Sequence, residues 1–352
     1  MSESSRPAGR PPRRKRYRGT HPRRFDEKYK ELNPERYPGD VVKVVARGQT
    51  PAGGHLPVML REVLDALRPA PGDVALDCTL GHGGHAEAMA PRIAPGGRLI
   101  GIDLDLEALE ATQRRLAARG IEIRVHPTSF AGIGKVLAAE RLDGVDVLLA
   151  DLGASSMQID DPSRGFSFKH DGPLDMRMDR SRGITAAEWL AKVDEADLAD
   201  AIARWGEEPG AAGIAAGIKA ALERGAVRST RDLASAVLHA KGLGLRHRRR
   251  SAFDLHPAAR VFQAIRIAVN REEESLKQLL RILPYVLRPG GRAAIITFHS
   301  GEDLLVANAF AEGLAAGLYS TARAEPLRPS RQEIHANPRA RSARLRWAER
   351  QD

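Results

Sequence analysis

The chain has 352 residues, 42% hydrophobic and 28% charged, which fits two domains, or one core with a large insertion, and excludes a fibrous, collagen-like or wholly disordered protein. No apolar run approaches the ~20 residues of a membrane-spanning helix, the start lacks the apolar stretch of a secretory signal, and Cys78 is the sole cysteine; a cytosolic protein with no membrane partner, no disulfide framework and no metal is expected. The net charge of +10 is gathered in three segments, a distribution that favours a polyanionic partner.

The first of these segments is residues 1–54, with fourteen Lys or Arg against six acids. Its Pro-rich first half has almost no aliphatic residues and is expected to be disordered. Such an arm either contacts RNA through its phosphates or merely solubilises. Short apolar runs then alternate with helical segments: Val74–Leu76, Arg98–Ile102, Ile121–Val125 and Val145–Leu149 read as strands, and Leu106–Ala118 as a helix with Leu106, Leu109 and Leu116 on one face. Strands separated by helix-length connections imply a parallel, doubly wound α/β sheet. The pattern stops at residues 161–255, where helical spacing recurs over Ala186–Ile202, Ile214–Leu222 and Arg231–His239 without a convincing strand. A second basic cluster, Lys241–Arg250, closes this stretch. A long helical segment, Ala258–Leu287, follows, then a Pro289-Gly290-Gly291 turn, a fifth strand at Ala293–Phe298, and the third basic segment, Arg323–Arg350. The simplest organisation is a discontinuous core of residues 55–160 and 256–352 carrying an inserted helical domain at 161–255.

After the first strand comes Asp77-Cys78-Thr79-Leu80-Gly81-His82-Gly83-Gly84-His85. Glycines here let the backbone turn tightly and approach a ligand, and the next helix offers free N–H groups at its start. Gly81, Gly83 and Ala86 satisfy the dinucleotide spacing G-x-G-x-x-A, and Asp103 lies 19 residues beyond Gly84, where a ribose-binding acid is expected. A nicotinamide dinucleotide and S-adenosylmethionine both fit that pattern. The imidazole of His85 at the helix mouth would crowd a pyrophosphate but suits a methionine carboxylate and amine. Asp151, in Asp151-Leu152-Gly153-Ala154-Ser155-Ser156, ends the fourth strand at the edge where such sheets bind ligands, and an acid there can hold a sulfonium cofactor or an amine substrate. Helix capping by Asp103 and Asp151 is the plainer alternative.

Longer motifs narrow the choice. His55-Leu56-Pro57-Val58-Met59-Leu60, Asp77 to His85, Asp151 to Asp161, Arg164 to Phe168, Asp171 to Asp179, His256 to Arg260, Phe262 to Asn270, Phe298-His299-Ser300 and Asn337 to Arg346 resemble the bacterial 16S rRNA cytosine-N4 methyltransferase H family, also called MraW. The resemblance implies a class I, Rossmann-like methyltransferase with an inserted helical domain, S-adenosylmethionine as cofactor, and a cytidine in the decoding centre of 16S rRNA, within the small subunit, as substrate. It assigns the cofactor to Gly83, Gly84 and His85, to Asp103 at the ribose, to Phe130 beside the adenine, and to Asp151 and Gln158. Cys78 stands where the family usually has glycine, Gly301 and Leu304 replace its leucine and arginine, and Trp205–Lys219 lacks expected arginines. These departures keep a non-catalytic ribosome-assembly factor as an alternative beside the enzyme.

Methyl transfer from a sulfonium is an in-line displacement that needs alignment and no covalent nucleophile, consistent with Cys78 lying in the cofactor loop. The cytosine amine is a poor nucleophile, so an acceptor for its hydrogens is expected in the Asp151–Ser156 loop, either Asp151 or the carbonyls beyond it. His299 either orients the base or takes up a proton, or the segment is a helix start capped by Ser300. Phe166 and Phe168 either stack on the base or pin the insert to the core. Arg260 and Arg266 either contact phosphate or pair with insert acids. The sequence does not fix the oligomeric state.

Overall fold

A computed structural model describes residues 57–243 and 256–352; the basic tail and the Arg246–Arg250 cluster lie outside the described residues. Seven strands form one sheet in the order β3-β2-β1-β4-β5-β7-β6. They are β1 (Val74–Asp77), β2 (Arg98–Asp103), β3 (Arg124–Pro127), β4 (Val145–Asp151), β5 (Leu287–Thr297), β6 (Tyr319–Ala322) and β7 (Arg344–Arg350). β1 to β5 pair in parallel, and β7 runs antiparallel to both β5 and β6. The chain order reverses between β1 and β4, which opens a crevice at their carboxyl ends.

Burial explains which strands are conspicuous. β1 is buried along its whole length and β4 nearly so, and strands covered on both faces read as continuous apolar runs. In β7, Leu345 and Ala348 are buried among arginines that find partners: Arg346 pairs with Asp303 at 2.8 Å and Arg350 donates to the Leu287 carbonyl. The C-terminal basic segment is therefore partly structural, and β6 and β7 carry no apolar signature of their own. The helix α3 (Leu106–Ala117) buries Leu109 and Leu116 but leaves Leu106 49% exposed at its first turn, so Leu106 is not part of the inward face. The expected turn at Pro289-Gly290-Gly291 is instead a bulge within β5, where the register against β4 shifts.

Two hydrophobic clusters cover the faces of the sheet. One includes Leu76, Ile100, Leu148, Leu279 and Phe310. The other includes Met59, Met89, Leu109 and Leu345. A third cluster is helical and belongs to α6 (Ala186–Lys192), α7 (Glu195–Gly206), α8 (Ala211–Glu223) and α9 (Thr230–Ala240), with Leu190, Ile202, Ile218 and Leu233 at its centre. Capping boxes start α6 at Thr185 with Glu188 and α9 at Ser229 with Asp232. Between residues 161 and 243 the only pairing of β type is an isolated bridge, Pro173 to Ser229. The helical cluster continues into α10 (Ala259–Asn270), whose Val261, Phe262 and Ile265 are buried in it. The expected long helix over 258–287 is two helices, because Arg271 adopts a left-handed conformation (φ 51°) before α11 (Glu272–Val286). α10 packs with the helical module and α11 with the sheet.

Candidate active site

The glycine loop is held from behind. The Thr112 hydroxyl donates to the Gly81 carbonyl at 2.6 Å and Arg115 to the His82 carbonyl at 2.6 Å. Gly83 caps α2 (Gly84–Ile93) in a left-handed conformation, φ 67°, and a Cβ there would stand 2.6 Å from the Thr112 methyl. Only glycine satisfies both the turn and this packing. Asp103, at the end of β2, accepts the Gly81 N–H at 2.7 Å and the Asp105 N–H at 2.9 Å. Burial raises its carboxyl above the ordinary range, against those two N–H groups. The carboxylate is thus fixed by backbone at the rim of the loop. Phe130 follows β3 at the same edge, half-buried against the first sheet cluster.

Asp77 and Asp151 end the two strands that flank the crevice. The Thr79 hydroxyl links them: it accepts the Asp151 N–H at 2.7 Å and donates to Asp77 at 3.4 Å. Burial, then the nearby Asp103 charge, pushes Asp77 up to about 7. Burial, then the charges of Asp77 and Glu302, pushes Asp151 up to about 8. Its Oδ1 is shut off from solvent without a hydrogen-bond partner. His85 does not stand free at the helix mouth. It is buried, its Nε2 donates to the Val58 carbonyl at 3.0 Å, and burial lowers it to about 4, so it is neutral and its Nδ1 lies 3.9 Å from Asp151.

The opposite wall is built from ion pairs. Arg266 of α10 grips Glu272, the first residue of α11, through Nε at 2.8 Å and Nη2 at 2.9 Å. Glu302 lies beside them in α12 (Ser300–Ala315), paired with His299 at 3.1 Å and accepting the Phe298 N–H at 2.9 Å. Burial alone would raise Glu302. The His299 bond, the Phe298 N–H and Arg266 together hold it below the ordinary carboxylate range. The cap of α12 is His299, through Nδ1, and not Ser300. A Cβ built on Gly153 would lie 3.9 Å from Arg266 Nη2 and 4.0 Å from Nη1, so this guanidinium borders the loop after Asp151.

A second buried junction ties the glycine-loop side to the helical module. Asp105 caps α3 and also receives Gln158 Nε2 at 3.0 Å and Arg164 Nη2 at 2.9 Å. Arg164 also donates to the carbonyls of Arg177 and Met178 at 3.3 and 2.9 Å. Gln158 thereby holds Asp105, and its Oε1 completes the capping box of α5 (Ser156–Asp160) with Ser155.

The chain matches the MraW methylase family over residues 52–351. A ribosomal RNA small subunit methyltransferase H 1 from Agathobacter rectalis is 41% identical over 341 residues, covering 96% of this chain and 97% of the relative. Relatives named ribosomal RNA small subunit methyltransferase H from Sorangium cellulosum and Chromobacterium violaceum are 45% and 44% identical, covering 84% and 86% of this chain and 90% and 96% of their own lengths. The chain belongs to the MraW methylase family.

Membership makes it an S-adenosylmethionine-dependent methyltransferase with a Rossmann-like sheet and removes the nicotinamide reading. The residues present fit that cofactor. A glycine loop that tolerates no Cβ at Gly83, the Asp103 carboxylate at its rim and the unbonded Asp151 Oδ1 make a polar cradle for an adenosyl and sulfonium group. The structure draws Gly83, Gly84, His85, Asp103 and Asp151 to one edge of the sheet, with Phe130 beside them at the end of β3.

The remaining candidates have structural partners. Phe166 is buried in the helical cluster, and the partly buried Phe168 packs on His256 and Phe262 with ring centroids 4.3 and 4.9 Å apart. Arg260 donates to the Glu207 carbonyl at 2.7 Å. Among the described residues no His, Cys, Asp and Glu cluster could hold a metal, and no helix is long and apolar enough to cross a membrane. Sequence reasoning missed Asp105, Arg164, Glu272 and Glu302. Arg164 lay within a quoted motif and Glu272 and Glu302 each two residues beyond one, and nothing local revealed their partners.

Proposed function

We propose that this protein transfers the methyl group of S-adenosylmethionine to the exocyclic N4 of a cytidine in the decoding region of 16S rRNA, within the small ribosomal subunit. The observation that carries this reading is Asp151: a carboxyl at the carboxyl end of β4, poised near 8, with an unbonded oxygen beside the glycine loop. The relatives' names supply the rRNA substrate.

The cofactor supplies the electrophilic methyl group, and the chain's own residues supply alignment. In its ionised form Asp151 accepts a hydrogen from the amine, returns electron density to a nitrogen otherwise delocalised into the ring, and takes the proton once the nitrogen is alkylated. A sulfonium cation nearby favours that ionised form. Productive geometry requires nitrogen and methyl carbon at roughly 3 to 3.5 Å. Cys78 takes no part: it is buried and burial pushes its thiol well up, whereas attack on cytosine C6 needs a thiolate.

The test is mass spectrometry of decoding-region rRNA from cells with and without the protein. N4-methylcytidine should disappear in its absence; an unchanged level refutes the proposal. Radiolabelled methyl incorporation into small subunits lacking the modification separates the enzyme from an assembly factor that merely binds them.

A further inference from the structure

Arg266 is a cation at the base side of the site whose hydrogen-bonding capacity is only partly used. Nε and Nη2 are both spent on Glu272, while Nη1 has no partner among the described residues. The side chain is 17% exposed and lies against the backbone of Gly153, two residues beyond Asp151. We propose that Arg266 reads the target base, donating from Nη1 to the ring nitrogen N3 of cytosine while the Asp151 loop accepts from the adjacent amine. This rests on the reading of a cytosine-N4 substrate above.

Charge decides between a base and a phosphate. The guanidinium is already neutralised by a bidentate carboxylate, and Glu302 adds a second acid beside it. A phosphate brought there would meet more acids than free cations. A neutral ring acceptor meets a preorganised N–H held by a buried pair, which is the arrangement that discriminates between bases. The amine and N3 are neighbours on one edge of cytosine, matching the neighbouring placement of the Asp151 loop and Arg266. N3 is an acceptor in cytosine and an N–H donor in uracil, so a donor fixed at this point rejects uracil as well as engaging cytosine. Glu272 is the positioning residue: it leaves Nη1 as the free edge.

The test uses small subunits reconstituted with a synthetic decoding segment carrying either cytidine or 3-deazacytidine, which lacks the N3 acceptor, at the target. Wild-type kcat/KM should fall about ten- to a hundredfold on the analogue, since a buried donor is left unpaired. In Arg266→Lys, activity on cytidine should fall by a similar factor, mainly through KM, and the cytidine-to-analogue ratio should collapse towards one. That ratio is taken within each preparation, so partial unfolding cancels. Binding of S-adenosylhomocysteine, followed by calorimetry, should be unchanged. If the wild-type enzyme uses both substrates equally, or if Arg266→Lys retains the wild-type ratio, Arg266 does not read N3, although N4-methylcytidine formation would still stand. If the wild-type enzyme forms no N4-methylcytidine, the functional reading fails and this inference with it.

Discussion

The two walls of the crevice are held by different means. On the glycine-loop side, Asp103 and Asp77 are fixed largely by backbone N–H groups and by turns that few residue types can adopt. On the opposite wall, Arg266 and Glu272 fix one another and His299 holds Glu302, and at the junction between the two sides Arg164 holds Asp105. A backbone-held wall tolerates side-chain change away from its glycines. A wall of buried pairs fails when either partner is removed, because the survivor keeps its desolvation cost.

That contrast can be broken most severely at the Asp105–Arg164 junction. Arg164→Ala leaves Asp105 with an uncompensated charge and frees two carbonyls, and should cost about 3 to 5 kcal/mol of stability, measured by denaturant unfolding. An effect below ~1 kcal/mol would mean the pair is not buried in solution. Asp151→Asn comes next: it keeps the shape but removes the base, and methyl incorporation should fall about a hundredfold or more, with S-adenosylhomocysteine binding retained. A parental rate would show that the carboxylate is not needed. On the backbone-held side, Gly83→Ala forces a Cβ against Thr112 in a left-handed turn and should cost about 1 to 3 kcal/mol, seen as a lower Tm and weaker cofactor binding.

The last effect is electrostatic. Asp77 and Asp151 hold their protons more tightly folded, near 7 and 8, than in the unfolded chain, near 3.9. Their contribution to stability is therefore complete below about 4 and lost as the pH rises through 7 and 8. His85 acts oppositely, since its depressed value near 4 makes its contribution complete above about 6.5. Between pH 6.5 and 8 the carboxyls act without opposition from His85, and the cofactor-free protein should lose about 2 kcal/mol. Asp151→Asn should flatten that slope in a thermal series.

The same contrast explains what the sequence reveals. β1, β2 and β4 are legible because burial on both faces writes an apolar run, and the glycine loop with Asp103 is legible because its geometry restricts residue choice locally. β7 is hidden because its arginines find partners in Asp303 and in carbonyls distant in the chain, and β6 because only Tyr319 of its four residues is buried. The partners of Asp105 and Glu302 are hidden for the same reason. Phe166 and Phe168 show the limit of composition: an aromatic pair in a glycine-flanked loop suits stacking on a base, yet the structure uses both rings in packing. His299 takes the cap expected of Ser300 because its ring reaches the Glu302 N–H from the preceding position.

The elbow at Arg271 has a wider meaning. Positions 266 and 272 in an unbroken helix would lie about 120° apart around its axis, at 3.6 residues per turn, on different faces. The left-handed kink folds the chain back so that a guanidinium carried by one half of the molecule closes on a carboxylate carried by the other. One of the chain's passages between the helices and the sheet is thus latched by a buried charge pair that borders Gly153.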